Sequence, residues 1–321
     1  MTATTTRTRP VWPELPAAVR AGIEARLGAA VTGWTSHDGG YSQGLASTLR
    51  IDRGAVFVKA VSTEHEFTVR LYRQEAERAV ALGEGVPAPR LRWTTEAAAD
   101  GHDWVALAFD AVAGRAPVQP WRADELRAVL DLAVEVGEQD VAAGVLPAAE
   151  TELPAQLVGR LAAERPTGLA SYDPWLAGQL DRLAAIELEA PAAVAGDRLV
   201  HADLRGDNAV LVERGPGGGA GGLRAVAVDW AYAARGAAFC DLVGMLPAVQ
   251  VEGGPTPEEA LGLRPLPAGT DEDAVTAYLV ALTGYFVHSS LQPPVPGIPH
   301  LRAFQRAQGE ACVAWLRRRL A

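Results

Sequence analysis

Apolar and polar positions recur along this chain with two different periods, and each change of period marks a change of element. Residues 14–29 carry apolar side chains at helical spacing, whereas 31–61 break into short strand-like runs separated by turn residues. A second helical stretch, 64–83, ends before Gly85-Val86-Pro87-Ala88-Pro89, and strand patterns follow near 91–94 and 104–109. Beyond Arg122 the helical period dominates, over 122–141, around 152–165 and over 174–188. Two apolar strands, 209–212 and 223–228, interrupt it, joined through the glycine-rich stretch 214–222. That stretch is expected to be a hairpin tip and no phosphate loop, because a strand follows it and there is no helix N-terminus to receive phosphate. The longest apolar run, 274–287, is too short to span a bilayer and is expected to be a buried helix.

Composition narrows the classes. The chain has 321 residues, 49% of them apolar, enough for two lobes with cores of their own. A net charge of −10 argues against a nucleic-acid surface. Cys240 and Cys312 offer neither a disulfide framework nor metal-ligand spacing, and Cys240, between Phe239 and Leu242, is expected to be a small buried hydrophobe. The first nine residues are threonine-rich and lack the apolar core of a signal peptide, so they are expected to form a loose tail on a cytoplasmic protein.

Lys59 is the one lysine among 29 basic residues, at the end of the apolar run Val56-Phe57-Val58. Phosphate clamping favours a compact ammonium on a thin stem over a planar guanidinium; a chance survivor of an arginine-rich composition is the other reading. Downstream stands His201-Ala202-Asp203-Leu204-Arg205-Gly206-Asp207-Asn208, followed by the two strands and by Asp229 at the far end of the second. One carboxylate facing a substrate hydroxyl, with an amide oxygen and a second carboxylate as hard ligands for Mg²⁺ against nucleotide phosphates, accounts for this spacing. No Gly-Lys-Ser/Thr occurs, which excludes a Walker A loop.

In the order and context of Lys59, His201, Asp203, Asn208 and Asp229, the sequence resembles the aminoglycoside phosphotransferase family of small-molecule kinases, from about Gly39 to about Leu246 and more weakly to the end. The resemblance implies an α+β, bilobal protein-kinase-like fold: an N-terminal nucleotide-binding lobe over 1–111, with 1–10 as the loose tail, and a catalytic and substrate lobe over 112–321. It implies transfer of the γ-phosphoryl group of ATP, or of GTP, to a hydroxyl of a small molecule, with Mg²⁺ as cofactor. Gly40 and Ser42 lie just upstream of Lys59 and read as a phosphate-covering loop, although their order is not the protein-kinase Gly-x-Gly-x-x-Gly and a plain hairpin turn has the same composition. Glu75 shares a helical stripe with Leu71, Ala79 and Leu82 and is expected to hold Lys59, while Glu77 faces water. The family's hinge maps onto 110–115, with the Asp110 carbonyl and the Val112 amide meeting the adenine edge. Asp241, in an Asp-Leu pair, is expected to brace the catalytic loop, and His201 to support it.

Two departures from the family's wording bear on the chemistry. Ala202 stands where glycine is common, and Arg205 where histidine is frequent; the guanidinium could lie near the transferring phosphoryl group or pair with Asp207. Only eleven residues separate Asp229 from Asp241, too few for a peptide-docking activation segment, so a small acceptor is expected. Glu258, Glu259, Asp271, Glu272 and Asp273 form a candidate rim for a cationic, aminoglycoside-like acceptor, or else mark acidic helix starts. A catalytically silent nucleotide-binding module and a metal-dependent phosphoesterase are the competing classes. Intact Asp203, Asn208 and Asp229 speak against the first, and the lack of a second histidine at ligand spacing speaks against the other.

Overall fold

The structure is a computed structural model and describes residues 9–37, 43–99, 101–154, 156–213, 222–295 and 298–321. Helix α1 (Ala17–Leu27) is shorter than its apolar pattern because Pro16 occupies the N-cap and Gly28, at φ 66°, closes the last turn in the left-handed region. Strands β1 (Gly33–Ser36), β2 (Leu45–Ile51) and β3 (Gly54–Ser62) precede helix α2 (Glu66–Ala81), and β4 (Leu91–Ala99) and β5 (His102–Asp110) follow it. These strands make one antiparallel sheet in the order β1-β2-β3-β5-β4. Strand β4 runs five residues past the predicted 91–94 because pairing with β5 overrides the poor strand propensity of Glu96-Ala97-Ala98.

The two-residue period of β3 sorts its side chains between two cores. Val56, Val58 and Ala60 point to the face covered by α1, with Trp12, Leu15, Val19 and Ile23. Phe57 and Val61 point to the opposite face, against Val69 and Tyr72 of α2. Lys59 lies in register with that second set, so alternation alone aims its ammonium at α2.

The remainder is mostly helical: α3 (Ala123–Gly137), α4 (Ala149–Glu152), α5 (Leu157–Glu164), α6 (Pro174–Glu187) and α7 (Ala190–Val194). Short strands β6 (Arg198–Val200), β7 (Ala209–Glu213), β8 (Leu223–Ala227) and β9 (Ala234–Gly236) then form the pairs β6-β9 and β7-β8. Helices α8 (Cys240–Val251), α9 (Pro257–Leu263), α10 (Glu272–Ser290) and α11 (Leu301–Arg319) complete the chain. Helix α3 stops short of Val141, and its last residue, Gly137, packs so closely on the carbonyl of Ala238 that a Cβ there would lie 2.4 Å from that oxygen. The expected hairpin tip at 214–222 falls almost wholly outside the described residues, as does the N-terminal tail. Cys240 and Cys312 are both buried and free. Among the described residues, no helix is long and apolar enough to cross a membrane.

Candidate active site

Helix α2 buries Thr68, Val69, Tyr72, Glu75 and Arg78, a stripe at helical spacing whose only acid is Glu75. Its carboxylate meets the Lys59 ammonium at 2.7 and 2.8 Å, with both residues almost fully buried. Asp229 approaches the same ammonium to 3.1 Å, so Lys59 lies between two carboxylates, with the Tyr72 ring 5.7 Å away. Burial alone would lower the Lys59 pKa, but Asp229 and Glu75 outweigh it and hold the side chain above the ordinary lysine value. For Asp229, burial pushes upward and the Lys59 ammonium prevails, leaving an ionised carboxylate below the usual aspartate range.

The segment between β6 and β7 gathers the second group. Asp241, in the first turn of α8, accepts the backbone N–H groups of His201 at 2.7 Å and Ala202 at 2.8 Å. Those bonds hold Ala202 at φ 63°, a left-handed conformation that costs a residue with a Cβ about 1–2 kcal/mol. Asp229 is left-handed too, at φ 68°, and such strain collects where the backbone has to aim a functional group. His201 is fully buried; its Nε2–H donates to the Val228 carbonyl at 3.0 Å, and its Nδ1 accepts the Asp203 N–H at 3.3 Å. Both ring nitrogens are thereby used in the neutral tautomer, and burial lowers the pKa accordingly.

Asp203 is the focus of the loop. Arg205 donates to it from Nε at 3.1 Å and also pairs with Asp207 at 3.3 Å, so the pairing with Asp207 is present together with one to Asp203 that the sequence did not suggest. The guanidinium lies 5.2 Å from the Phe304 ring. Asn208 donates through Nδ2 to the Asp203 backbone carbonyl at 2.7 Å and to its carboxylate at 3.0 Å. Burial raises the Asp203 carboxyl, Arg205 opposes the rise and Asp229 adds to it, leaving it above the ordinary value.

Asp203, Arg205, Asn208 and Asp229 line one cavity of about 490 Å³. Asn208 spends its amide nitrogen on Asp203, which leaves Oδ1 as a hard donor, and ionised Asp229 supplies a second. Among the described residues, no three His, Cys, Asp or Glu side chains form a closed cation cage. Two oxygen donors with positions left for phosphate and water fit Mg²⁺ better than a metal needing a full protein cage.

Other expected residues lie elsewhere. Asp110 ends β5 with its N–H on the Arg90 carbonyl and its carboxylate 2.7 Å from Arg92; Val112 follows it, half-buried, and neither lines the cavity. Gly40 and Ser42 lie outside the described residues. The acidic rim does not reach the cavity. Asp271 caps α10, Glu259 closes a capping box with Thr256, Glu272 pairs with Arg319 and Glu258 with Arg318. The helix-start reading holds for these residues.

The sequence reading missed the far wall, formed by Tyr285, Phe304, Gln305 and Gln308 of α10 and α11. Gln305 and Gln308 fall in register with Cys312, Trp315 and Leu316 on the buried stripe of α11, and two amides on such a stripe were the available signal. It missed Glu252 as well, which accepts from Trp121 Nε1 at 3.1 Å and which burial and the nearby Asp207 push up to about 7.

A strand-rich lobe whose buried lysine pairs with a helix carboxylate, set over a loop bearing aspartate and asparagine, defines a kinase-like phosphotransferase. The chain belongs to the phosphotransferase enzyme family APH, whose model matches residues 40–278. No curated protein matches the chain. Among solved structures, the chain is similar to wild-type aminoglycoside 2'-phosphotransferase-IIIa in its GDP complex, at 14% identity and TM-score 0.59 over 94% of this chain and 98% of that one. It is similar to a thermostable mutant of aminoglycoside phosphotransferase APH(4)-Ia in ternary complex with AMP-PNP and hygromycin B (13%, TM-score 0.57, 94% and 98%). It is also similar to the Plasmodium vivax ethanolamine kinase (11%, TM-score 0.53, 89% and 83%). At these identities the likeness is one of fold.

Proposed function

We propose that this protein is a magnesium-dependent kinase that moves the γ-phosphoryl group of ATP or GTP to a hydroxyl of a small molecule. The observation that carries the reading is the meeting, along one cavity wall, of Asp203 with Asn208 and with the Lys59-bound Asp229. In this reading residues 1–111 bind the nucleotide and 112–321 carry the chemistry and the acceptor, in a cytoplasmic enzyme. Lys59, oriented by Glu75, grips the α and β phosphates; Gly40 and Ser42 cover them, and the Asp110 carbonyl and Val112 amide take the adenine edge. Asn208 and Asp229 would hold Mg²⁺, which supplies charge neutralisation at the phosphates when bound.

Asp203 orients the acceptor hydroxyl and takes its proton, and its raised pKa suits that exchange. The acceptor oxygen bonds to the γ-phosphorus as the bond from that phosphorus to the β–γ bridging oxygen breaks, giving a nucleoside diphosphate and a phosphate monoester. Arg205 fixes the Asp203 carboxylate, and in this reading its guanidinium offsets charge on the transferring group. Asp241 and His201 hold the loop in shape. The test is acceptor-dependent ADP formation over a panel of amino sugars, nucleosides, macrolides and amino alcohols. Asp203→Ala should abolish it with nucleotide affinity retained, and near-wild-type turnover in that variant would remove Asp203 from the chemistry.

A further inference from the structure

Helix α8 meets the catalytic loop at both of its ends. In the first turn Asp241 accepts the N–H groups of His201 and Ala202. At the C-cap, about 18 Å further along the helix axis, stands Glu252. A Cβ added to buried Gly206 would lie 3.3 Å from Glu252 Oε2 and 2.9 Å from Trp121 Cζ2, so both side chains sit directly against the loop at that residue. Gly206 has no positive φ to demand glycine; the missing Cβ is what lets the indole approach. The two side chains are also joined to each other, because Trp121 Nε1 donates to the same Oε2 at 3.1 Å.

Trp121 is anchored in turn. Its ring lies against Gly254, where an added Cβ would be 3.1 Å from Cδ1. The segment that leads from β5 to Trp121 is tied to the catalytic hairpin, since Arg115 and Leu211 exchange both backbone hydrogen bonds, at 3.1 and 2.7 Å. Gly206 stands between Arg205 and Asp207, the two members of an ion pair at 3.3 Å, and Arg205 also donates to Asp203 at 3.1 Å. Where Gly206 is seated therefore decides where the guanidinium starts from. The Glu252 carboxyl feels the same pair: Asp207 adds to the upward push of burial, and Arg205 opposes it.

We propose that Glu252 and Trp121 are positioning residues for the phosphoryl transfer, forming a brace behind Gly206 that keeps Arg205 on the Asp203 carboxylate. This rests on the kinase reading for what Asp203 does, whereas the brace itself can be measured without turnover.

Three variants of the full chain test it. Glu252→Leu keeps the bulk and removes the acceptor, Trp121→Phe removes the donor, and Glu252→Gln keeps both bulk and acceptor. One readout is steady-state ADP release with Mg²⁺, ATP and the acceptor panel. The other is hydrogen exchange of the Asn208 amide followed by NMR, since that N–H donates to the Arg205 carbonyl at 3.0 Å. In Glu252→Leu and Trp121→Phe, kcat should fall about tenfold with the nucleotide KM unchanged, and the Asn208 amide should exchange about tenfold faster. Glu252→Gln should stay within about twofold of the wild type in both readouts. Should Glu252→Leu fail to fold, Trp121→Phe decides. Wild-type kcat in the folded variants, a loss confined to nucleotide KM, unchanged Asn208 exchange, or a Glu252→Gln protein as impaired as Glu252→Leu would each overturn the proposal. A wild type that phosphorylates no alcohol while the variants still speed Asn208 exchange would sink the kinase reading and leave the brace as a support of the loop.

Discussion

Replacing Glu75 with glutamine probes the most deeply buried charge pair of the site. Lys59 and Glu75 are 7% and 2% exposed, and the ammonium contacts both carboxylate oxygens. Removing one partner of a buried ion pair leaves the other charge uncompensated and typically costs about 3–5 kcal/mol. Here Asp229 remains 3.1 Å from Nζ, and the glutamine carbonyl still accepts one hydrogen bond, so the cost should fall to about 1–3 kcal/mol. The catalytic consequence is larger than the structural one. Without Glu75 the ammonium is drawn toward Asp229, the carboxylate proposed to hold the cation, and both it and the phosphate grip are displaced. A shift of that kind should lower kcat/KM for the nucleotide by about a hundredfold. Urea denaturation and steady-state ADP release measure the two effects. A Glu75→Gln protein with unchanged denaturation midpoint and unchanged nucleotide kcat/KM would refute the assignment of this pair to phosphate binding.

Three further outcomes follow from the same geometry. Lys59→Arg should not restore function, because a planar fork cannot occupy the space between two carboxylates, and steady-state turnover should fall by about a hundredfold; wild-type turnover would make the lone lysine a compositional accident. Asp241→Ala strands the N–H groups of His201 and Ala202 at a cost of about 1–3 kcal/mol each, to be read from denaturation curves. For His201 the folded pKa lies below the unfolded value near 6.5, so its contribution is complete above that value and is lost as the pH falls through the folded one. Urea unfolding at pH 7.5 and 5.5 should therefore show an acid loss in the wild type that is smaller in His201→Gln, and equal losses in the two proteins would contradict the buried neutral imidazole.

Much of the site was legible because short-range periodicity dictates it. Two-residue alternation in β3 aims Lys59 at α2, helical spacing turns Glu75 inward, and His201 to Asn208 followed by a hairpin brings Asp229 back to the loop. What stayed hidden depends on contacts between residues far apart in the chain. Arg78 meets Glu152 across 74 positions and Trp121 meets Glu252 across 131, and no local pattern encodes either pair. Gln308 sits in α11, and only the packing of that helix places it against the cavity. The acidic rim misled for the opposite reason: Thr256-x-x-Glu259 is a capping box that local chemistry explains in full, and Asp271 is an N-cap.

In the proposed reaction a phosphoryl group passes to an alcohol and Asp203 receives the alcohol's proton. Incubating the protein with Mg²⁺, γ-labelled ATP and the acceptor panel, then following the label into a phosphate monoester, tests it directly. Label should move to an acceptor hydroxyl in the wild type, and its transfer should fall about 10²–10⁴-fold in Asp203→Asn, with nucleotide affinity retained. Label released only as inorganic phosphate, or transferred equally well by Asp203→Asn, would contradict it.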